Sequence, residues 1–507
     1  MLSKIKYLTL ILLSASCSDA NKPPATTSYE EQHRPQIHFS PKEKWMNDPN
    51  GMVYLNGTYH LFYQYFPDST VWGPMHWGHA TSKNLVKWEH QPVALYPDSL
   101  GYIFSGSAVI DVKNTSGFGK DGKAPLVAIF THHDPIREKE KRIDVETQSI
   151  AYSNDEGKTW TKYASNPVLK NPGIRDFRDP KVMWHEESKK WIMTLATLDR
   201  VTFYSSPNLK TWIKESDFGK DVGAHGGVWE CPDLFPLNYN GEKIWVLLVS
   251  INPGAPNGGS ATQYFTGRFN GNKFIAFDTA TKWIDYGPDN YAGITWSNTG
   301  DRKIFMGWMS NWQYAMVVPT KKWRSAMTLP RELEIAKAGE KYLVTSLPVK
   351  EINTIEENPN SLENIAASNF NVTEKLGLLT GPARLSIASD KTEDFTITLS
   401  NKAGEKVIIG YDKTSNNYFI DRSNSGDVNF EKGFAAKHTA PRFTANENLD
   451  LTLIIDNSSV ELFADNGLTV MTEIFFPNAL LTAINIQSTK NFKIKTLKFN
   501  KMKRIWK

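Results

Sequence analysis

Three stretches of the sequence repeat one pattern: ATSKNLVKW at 80–88, AYSNDEGKTW at 151–160 and FYSSPNLKTW at 203–212. Each runs from small or aromatic residues through a serine and a group of turn residues to a tryptophan. Self-similarity of this kind is typical of folds built from copies of one supersecondary unit. The sequence therefore predicts a repeat architecture.

A second series of segments, at 51–65, 123–133, 181–197, 234–250 and 296–310, is apolar and mostly paired across a polar turn. Within it, Asn56-Gly57 and Asn240-Gly241 are strong hairpin signals. Five such hairpins, interleaved with the Ser-to-Trp segments, predict five four-stranded units arranged as a five-bladed β-propeller with a central funnel. A jelly roll or a sandwich of this length would not explain repeated units of this size.

The repeat pattern stops near Arg331, and a polar segment at 336–370, with a short helix around 361–367, is predicted to link two domains. Beyond it, short alternating strands separated by turns predict a β-sandwich over 371–507. The predicted fold is thus all-β, with a propeller at 35–335 followed by the sandwich.

The first 17 residues have the features of a lipoprotein-type signal peptide: Lys4 and Lys6 precede an apolar stretch, and small residues precede Cys17. Residues 18–34 are polar and contain proline, which favours a flexible tether. We therefore expect a cell-envelope protein, periplasmic or surface-exposed, that is lipidated at Cys17 and touches the membrane only through that anchor. Plain secretion is the alternative. Only Cys231 then remains, so no internal disulfide can form.

The charge balance says little about partners, and we expect no nucleic-acid partner. The 58 basic and 54 acidic residues give a net charge of +4, and no basic stripe of the kind found in nucleic-acid-binding proteins is present. Aromatic residues make up 12% of the chain, which suits both β-structure and stacking on sugar rings.

Three acidic residues lie beside prolines at the starts of hairpins: Asp48 in WMNDPNG (45–51), Asp179 in RDP (178–180) and Glu230 in ECP (230–232). Equivalent positions in three propeller units would converge on the funnel. A retaining glycosidase needs two carboxyl groups about 5 to 5.5 Å apart, and converging acids can supply them. Taken alone, Asp-Pro-Asn-Gly is also a good turn sequence, in which an aspartate more often caps the turn.

In this order, WMNDPNG, RDP and ECP resemble the signature motifs of glycoside hydrolase family 32, the invertases, inulinases and levanases; the likeness runs from about residue 37 to the C-terminus. The resemblance implies a retaining β-fructosidase that hydrolyses terminal or internal β-fructofuranosyl linkages of levan-type or inulin-type fructans, with sucrose as a further substrate. It makes Asp48 the nucleophile and Glu230 the general acid/base. Asp179 would hold the fructose hydroxyls and stabilise the transition state.

The same resemblance implies a substrate-binding set: Asn47, Gln64, Trp72, Phe104, Ser105, Arg178, Asp285 and Trp312. Its polar members can orient sugar hydroxyls, while its aromatic members offer apolar faces. We expect no cofactor and no metal, because carboxylates and water suffice for the reaction. His76 and His79 lack a third ligand and are expected to be structural, and Cys231 to be a small buried residue.

Other functions stay open at this point. A non-catalytic carbohydrate-binding propeller would have no use for both Asp48 and Glu230, and an envelope adhesion protein would release no sugar. An inverting five-bladed glycosidase acting on arabinose-type sugars needs a wider carboxyl separation. The sequence leaves open exo or endo action, linkage preference, oligomeric state and transfer to acceptors other than water.

Overall fold

The computed structural model describes residues 29–357 and 360–506. The predicted signal peptide, Cys17 and residues 18–28 of the predicted tether lie outside these ranges. Among the described residues no helix has the length and apolar character needed to span a membrane.

The N-terminal domain consists of five antiparallel sheets that follow one another along the chain. Blade 1 contains β1 (Lys44–Leu55), β2 (Thr58–Phe66), β3 (His76–Ser82) and β4 (Trp88–Leu95). Blade 2 contains β5 (Tyr102–Ile110), β6 (Leu126–His133), β7 (Glu146–Ser153) and β8 (Thr161–Lys162), with the short helix α1 (Pro135–Lys139) between β6 and β7. Blade 3 contains β9 (Phe177–His185), β10 (Lys190–Thr197), β11 (Arg200–Ser206) and β12 (Ile213–Phe218).

Blades 4 and 5 carry small additional strands. Blade 4 contains β13 (Val228–Tyr239), β14 (Glu242–Asn252), β15 (Ala261–Phe269), β16 (Phe274–Ala276) and β17 (Lys282–Trp283). Blade 5 contains β18 (Tyr291–Thr295), β19 (Ile304–Met309), β21 (Ala326–Met327), β22 (Arg331–Ala338) and β23 (Lys341–Pro348), whereas β20 (Trp323–Arg324) leaves this blade and pairs in parallel with β1. The pairing of β20 with β1 joins the last blade to the first and closes the ring.

The repeated Ser-to-Trp motif forms the same turn in blades 1, 2 and 3, between the third and fourth strands. In each copy the serine hydroxyl donates to the side chain two residues later, as Ser153 does to Asp155 at 2.7 Å. In the second and third copies the tryptophan indole also donates to a backbone carbonyl three residues earlier. The motif is therefore a local turn that starts the outer strand of these three blades.

The C-terminal domain packs two six-stranded antiparallel sheets face to face around an apolar core. A short 3₁₀ helix (Lys350–Ile355) precedes its first strand, and α2 (Val372–Leu376) lies between its second and third strands along the chain. Its strands are β24 (Asn360–Ala366), β25 (Asn369–Asn371), β26 (Ala383–Ser389), β27 (Phe395–Ser400), β28 (Lys406–Asp412), β29 (Asn417–Asn424), β30 (Lys437–Pro441), β31 (Leu449–Asp456), β32 (Ser459–Ala464), β33 (Thr469–Ile474), β34 (Ala483–Gln487) and β35 (Lys493–Lys501). The prediction of a propeller followed by a β-sandwich is confirmed.

The linker predicted at 336–370 is mostly regular structure. Its first part completes the outer hairpin of blade 5, and its last part forms β24 and β25 of the sandwich. The helix predicted around 361–367 is wrong: residues 361–366 belong to β24, which pairs with β35. Polar residues in this stretch suggested a helix or loop, but pairing at the edge of a sheet decided the structure.

The end of the predicted tether is folded. Tyr29 is buried and stacks on Trp506 with ring centroids 4.1 Å apart. Arg34 is fully buried and donates to Pro41 O at 2.7 Å. Flexibility is therefore wrong for residues 29–34, because an aromatic and a guanidinium group in this polar stretch find partners on the folded domains.

Candidate active site

The innermost strand of every blade carries a β-bulge at the same place, near its start. Two residues there oppose a single residue of the neighbouring strand. The bulged pairs are Asn47-Asp48, Phe104-Ser105, Asp179-Pro180, Cys231-Pro232 and Ala292-Gly293. A bulge bends the strand and redirects its side chains. Five bulges around one axis therefore turn five sets of side chains into the same end of the funnel.

A cavity of about 600 Å³ opens at this end of the funnel. All three predicted catalytic acids line it, and so do seven of the eight predicted substrate-binding residues: Asn47, Gln64, Trp72, Phe104, Ser105, Arg178 and Trp312. The structure thus brings together residues spread over more than 260 positions of sequence.

Asp48 is held by three hydrogen bonds. Ser105 Oγ donates to its Oδ2 at 2.7 Å, Asn47 Nδ2 donates to its Oδ1 at 3.0 Å, and the Cys231 thiol reaches Oδ2 at 3.5 Å. Burial raises the pKa of Asp48 and the charge of Glu230 adds to that, whereas the hydrogen bonds oppose it. The carboxylate is fixed in orientation while Oδ1 keeps room for a further contact.

Glu230 lies in a fork formed by Arg178. The guanidinium Nε and Nη2 donate to Glu230 Oε1 at 3.2 and 2.9 Å, and the Tyr291 hydroxyl donates to Oε2. Arg178 is itself fixed by Asp176 at 2.7 Å and Glu146 at 3.2 Å. Both guanidinium donors go to Oε1 and the Tyr291 hydroxyl goes to Oε2, so each oxygen of the Glu230 carboxyl group has a fixed partner.

Asp179 lies at the base of the cavity with a φ of 65°, a left-handed conformation that is uncommon outside glycine. Its Oδ2 accepts from the backbone N–H of Cys231 at 3.0 Å. Burial raises the pKa of Asp179 to about 8, with Glu230 and Asp48 adding to the rise and Arg178 opposing it. At neutral pH the Asp179 carboxyl group therefore keeps its proton.

Aromatic rings form the wall of the cavity on two sides. Trp72 meets Phe104 edge to face at 6.0 Å, and Phe104 stacks on His133 at 4.3 Å. On the other side Trp312 stacks on the buried Trp45 at 5.9 Å. Such walls leave apolar faces toward the cavity, on which the C–H face of a sugar ring can pack.

Asp285 is the exception among the predicted site residues. It is 1% exposed and forms an ion pair with Arg331 at 2.8 Å. It also accepts from Thr472 Oγ1 at 2.6 Å, so it lies at the contact between propeller and sandwich. Its predicted position in the funnel is wrong. Asp285 lies in the loop before β18, where its carboxylate pairs with the buried Arg331 and does not line the cavity.

Two residues that contact the acids were not recognised from the sequence. Tyr291 sits in an ordinary strand pattern with no signal of its role. Cys231 was interpreted as a small buried side chain, and it is buried, but its thiol also contacts Asp48 and Asp179 at 3.5 and 3.6 Å. Its position inside ECP, next to Glu230, was the available signal.

The two histidines of MHWGH have separate partners. His76 Nδ1 lies 2.9 Å from Pro74 O, and His79 Nε2 lies 3.1 Å from His60 Nδ1. Their rings are thus engaged within blade 1.

Comparison with known proteins matches both domains. Residues 38–346 match the family model "Glycosyl hydrolases family 32 N-terminal domain", and residues 348–502 match "Glycosyl hydrolases family 32 C terminal". The resemblance inferred from the three motifs is thereby confirmed.

Relatives and solved structures agree with this match. The chain is 46% identical to the levanase of Bacillus subtilis (strain 168) over 98% of its own length and 74% of that protein. It is 41% identical to the extracellular exo-inulinase inuE of Aspergillus niger, over 89% of its length and 91% of that protein. The crystal structure of exo-inulinase from Aspergillus awamori superimposes with a TM-score of 0.87 at 37% identity, covering 94% of this chain and all of the other. A β-fructofuranosidase from Schwanniomyces occidentalis complexed with fructosyl-erythritol gives 0.86 at 32% identity, covering 95% of this chain and 99% of the other. The chain is a glycoside hydrolase and belongs to glycosyl hydrolases family 32.

Proposed function

We propose that this enzyme is a retaining β-fructosidase that hydrolyses β-fructofuranosyl linkages in levan-type or inulin-type fructans and in sucrose. The observation that carries the proposal is the set of three carboxyl groups in one cavity, two of them in contact with the same Cys231 thiol. The relatives named levanase and exo-inulinase support the substrate class.

In the first step Asp48 is the nucleophile. One of its carboxylate oxygens attacks the anomeric carbon of the terminal fructosyl unit, and the bond from that carbon to the glycosidic oxygen breaks. Glu230 gives its proton to the departing oxygen, so the leaving sugar departs as a neutral alcohol. Oδ1 of Asp48 is the better placed oxygen, since it accepts one hydrogen bond whereas Oδ2 accepts two.

In the second step Glu230 acts as a base. Its carboxylate takes a proton from a water molecule whose oxygen attacks the anomeric carbon. The ester bond to Asp48 breaks, the carboxylate is regenerated and fructose is released with its original anomeric configuration. The sum of the two steps is the hydrolysis of one glycosidic bond by one water.

Asp179 and the polar members of the lining bind the fructosyl unit. With its pKa raised to about 8, Asp179 can both donate a hydrogen bond to a sugar hydroxyl and accept one. Gln64 is fixed by Asn50 Oδ1 and Ile103 O at 2.7 and 3.0 Å. Side chains held in this way bind the hydroxyls without first losing rotational freedom.

The shape of the cavity favours action at a chain end. A volume of about 600 Å³ is that of a pocket for a small ligand, and the segment that carries α1 borders it through Glu138, Lys141, Arg142 and Val145. We therefore propose removal of single terminal fructose units.

The test is to incubate the purified protein and its Glu230→Gln variant with levan, inulin and sucrose and to resolve the products by chain length. Free fructose alone from the wild type, lost in the variant, supports an exo-acting β-fructosidase. A ladder of oligosaccharides would replace exo with endo action. No product from any of the three substrates would overturn the proposed function.

We propose further that the enzyme is exported and carries a lipid on Cys17. The relatives described as extracellular support export, and the signal-like residues before Cys17 motivate the anchor. In cell fractionation the wild type should sediment with membranes. A Cys17→Ser variant has no thiol at this position and should therefore not carry the lipid. A wild type found only in the culture medium would leave plain secretion.

A further inference from the structure

One side of the catalytic cavity is formed by the loop at 311–320, which follows β19 in blade 5. Trp312 and Met316 of this loop line the cavity. Tyr314 and Val318, which alternate with them along the chain, are 2% and 4% exposed and pack in an apolar cluster with residues of the sandwich. The loop therefore contacts the substrate cavity on one side and the second domain on the other.

A buried hydrogen-bond network connects Tyr314 to the sandwich. Arg422 Nη2, on β29, donates to the Tyr314 hydroxyl at 3.0 Å, and this hydroxyl donates to Asp289 Oδ1 at 2.5 Å. Arg422 Nη1 lies 2.6 Å from Asp289 Oδ2 and 3.1 Å from Glu473 Oε2, so the guanidinium is paired with both acids. All four side chains are buried. Because no bulk water can replace a lost partner there, the network fixes the position of the Tyr314 ring.

The propeller itself holds the two ends of the loop. At its start, Asn311 Nδ2 donates to Pro288 O at 2.8 Å. Toward its end, Arg324 Nη2 donates to Val318 O at 3.1 Å. Between these ends, the hydrogen bond from the sandwich reaches the loop at Tyr314. The sandwich thus holds the middle of the loop, between the two residues that line the cavity.

Tyr314 and Trp312 belong to the same turn. The backbone N–H groups of Tyr314 and Ala315 both donate to Asn311 O, at 3.1 and 2.9 Å, so residues 311–315 form one hydrogen-bonded unit. The Trp312 ring stacks on the buried Trp45 at the wall of the cavity. A displacement of the Tyr314 ring therefore moves the turn that carries Trp312, and with it the apolar face offered to a sugar.

We propose that Tyr314 is a positioning residue through which Arg422 of the sandwich holds Trp312 at the wall of the catalytic cavity. The described residues that line this cavity all belong to the propeller, so the sandwich takes part in substrate binding through the loop alone. The effect falls on KM rather than on kcat, because Asp48 and Glu230 are held by partners within the propeller. The effect on hydrolysis rests on the proposed function, whereas the hold on the loop does not.

The first experiment compares two variants of the full chain that each lose one buried hydroxyl. Tyr314→Phe removes the hydroxyl of the network described above. Thr472→Val removes a matching hydroxyl of the domain contact, which donates to Asp285 at 2.6 Å and accepts from Arg331 at 2.7 Å. Both variants should have a lower thermal midpoint. Tyr314→Phe should also raise KM for sucrose about three- to tenfold, the effect of one hydrogen bond, with kcat within twofold, whereas Thr472→Val should keep both constants within twofold.

A double-mutant cycle connects the effect to Trp312. In a Trp312→Ala background, Tyr314→Phe should change KM less than twofold, because the ring that Tyr314 positions is gone. Arg422→Lys keeps the charge but has three donors in place of five, and it should raise KM in the same range as Tyr314→Phe. The proposal is overturned by equal changes of KM in Tyr314→Phe and Thr472→Val, by an unchanged KM in Tyr314→Phe or Arg422→Lys, or by an effect of Tyr314→Phe that persists without Trp312.

The last experiment needs no substrate. Amide hydrogen exchange of residues 311–320 reports how firmly the loop is held. In Tyr314→Phe these amides should exchange about three- to tenfold faster than in the wild type, and in Thr472→Val within twofold of the wild-type rate. Equal exchange in all three proteins would overturn the proposal. A wild type that hydrolyses none of the substrates overturns the proposed function instead, and the exchange rates still decide this inference.

Discussion

Charged side chains are concentrated in two regions of the molecule, and they are arranged in opposite ways. In the catalytic cavity, Asp48, Asp179 and Glu230 lie together, and one arginine, Arg178, donates to Glu230 and opposes the rise in the pKa of Asp179. At the contact between propeller and sandwich, each buried acid lies against a cation. Glu461 accepts from Arg331 and lies 2.8 Å from His38 Nε2.

The pKa values of Asp179 and Glu461 illustrate this difference. In the cavity, burial and like charges raise the pKa of Asp179 to about 8. At the contact, burial acts in the same direction, but Arg331 and His38 outweigh it and lower the pKa of Glu461 to about 2. For His38, hydrogen bonds to Asp456 and Glu461 outweigh burial and raise its pKa to about 9. Buried carboxylates therefore serve reactivity where cations are too few and cohesion where cations suffice.

The largest expected effect separates the two regions by activity. Asp48→Asn should lower kcat on sucrose about 10⁴-fold or more, because the nucleophile is lost. Its thermal midpoint should stay the same or rise, since the substitution removes a buried carboxylate that lies close to Glu230. Asp285→Asn, an acid of the domain contact, should keep kcat and KM within threefold. Equal losses of kcat in the two variants would break the comparison.

The next largest effect separates the catalytic cavity from the domain contact by stability. Glu461→Gln leaves Arg331 and His38 without their shared acid and should lower the free energy of unfolding by about 3–5 kcal/mol. Below the unfolding transition, kcat should be unchanged. Denaturant unfolding and initial rates on the same preparations measure both. A variant with wild-type stability would mean that the buried network contributes no net cohesion.

A pH dependence of stability follows from His38. Its folded pKa, about 9, lies above the unfolded value of about 6.5. Its contribution to stability is therefore fully present below pH 6.5 and is lost as pH rises through 9. Glu461 behaves oppositely, since its folded pKa is depressed to about 2: its contribution is present above about pH 4.5 and lost as pH falls through 2.

The contribution of Asp179 to the stability of the protein also falls with rising pH, because its folded pKa is raised to about 8. The effect of His38 must therefore be measured as a difference between the wild type and a His38 variant. The thermal midpoint of the wild type minus that of His38→Gln, followed from pH 6 to 10, should shrink between pH 6.5 and pH 9 by an amount equivalent to at most about 3.4 kcal/mol and then level off. A difference that stays constant over this range would exclude His38 as the source.

The smallest expected effect lies inside the catalytic cavity. Tyr291→Phe removes the hydroxyl that donates to Glu230 and should lower kcat on sucrose about tenfold, with KM changed less than twofold. A β-fructoside with a nitrophenoxide leaving group needs little protonation, so its kcat should fall less. Equal losses on both substrates would mean that Tyr291 acts on the fold rather than on the acid.

The propeller could be predicted because its signals are local. The Ser-to-Trp turn is made within ten residues, so each copy carries its own evidence, and the acids beside Pro49, Pro180 and Pro232 mark the bulged strand starts. The acids were found for the same reason. Periodicity says which strands are equivalent, and equivalence in a ring implies convergence.

What could not be predicted depends on contacts between distant parts of the chain. Asp285 meets Arg331 and Thr472, and no periodic pattern relates these positions. Tyr291 acts through its hydroxyl, and a tyrosine in an ordinary strand pattern gives no sign of such a role. Residues 29–34 fold because Tyr29 finds Trp506, 477 positions later. A polar stretch with turn residues gives no sign of a partner so far away.

The stacking of Tyr29 on Trp506 also sets an order of events during folding. Gln36 and Ile37 donate to Asp456, and β1 needs β20 to close the ring, so the N-terminal segment finds its partners only after nearly all of the chain has been synthesised. Contacts this far apart in sequence form slowly. The N-terminal segment therefore stays without its folded partners until late in synthesis, which suits the export proposed above.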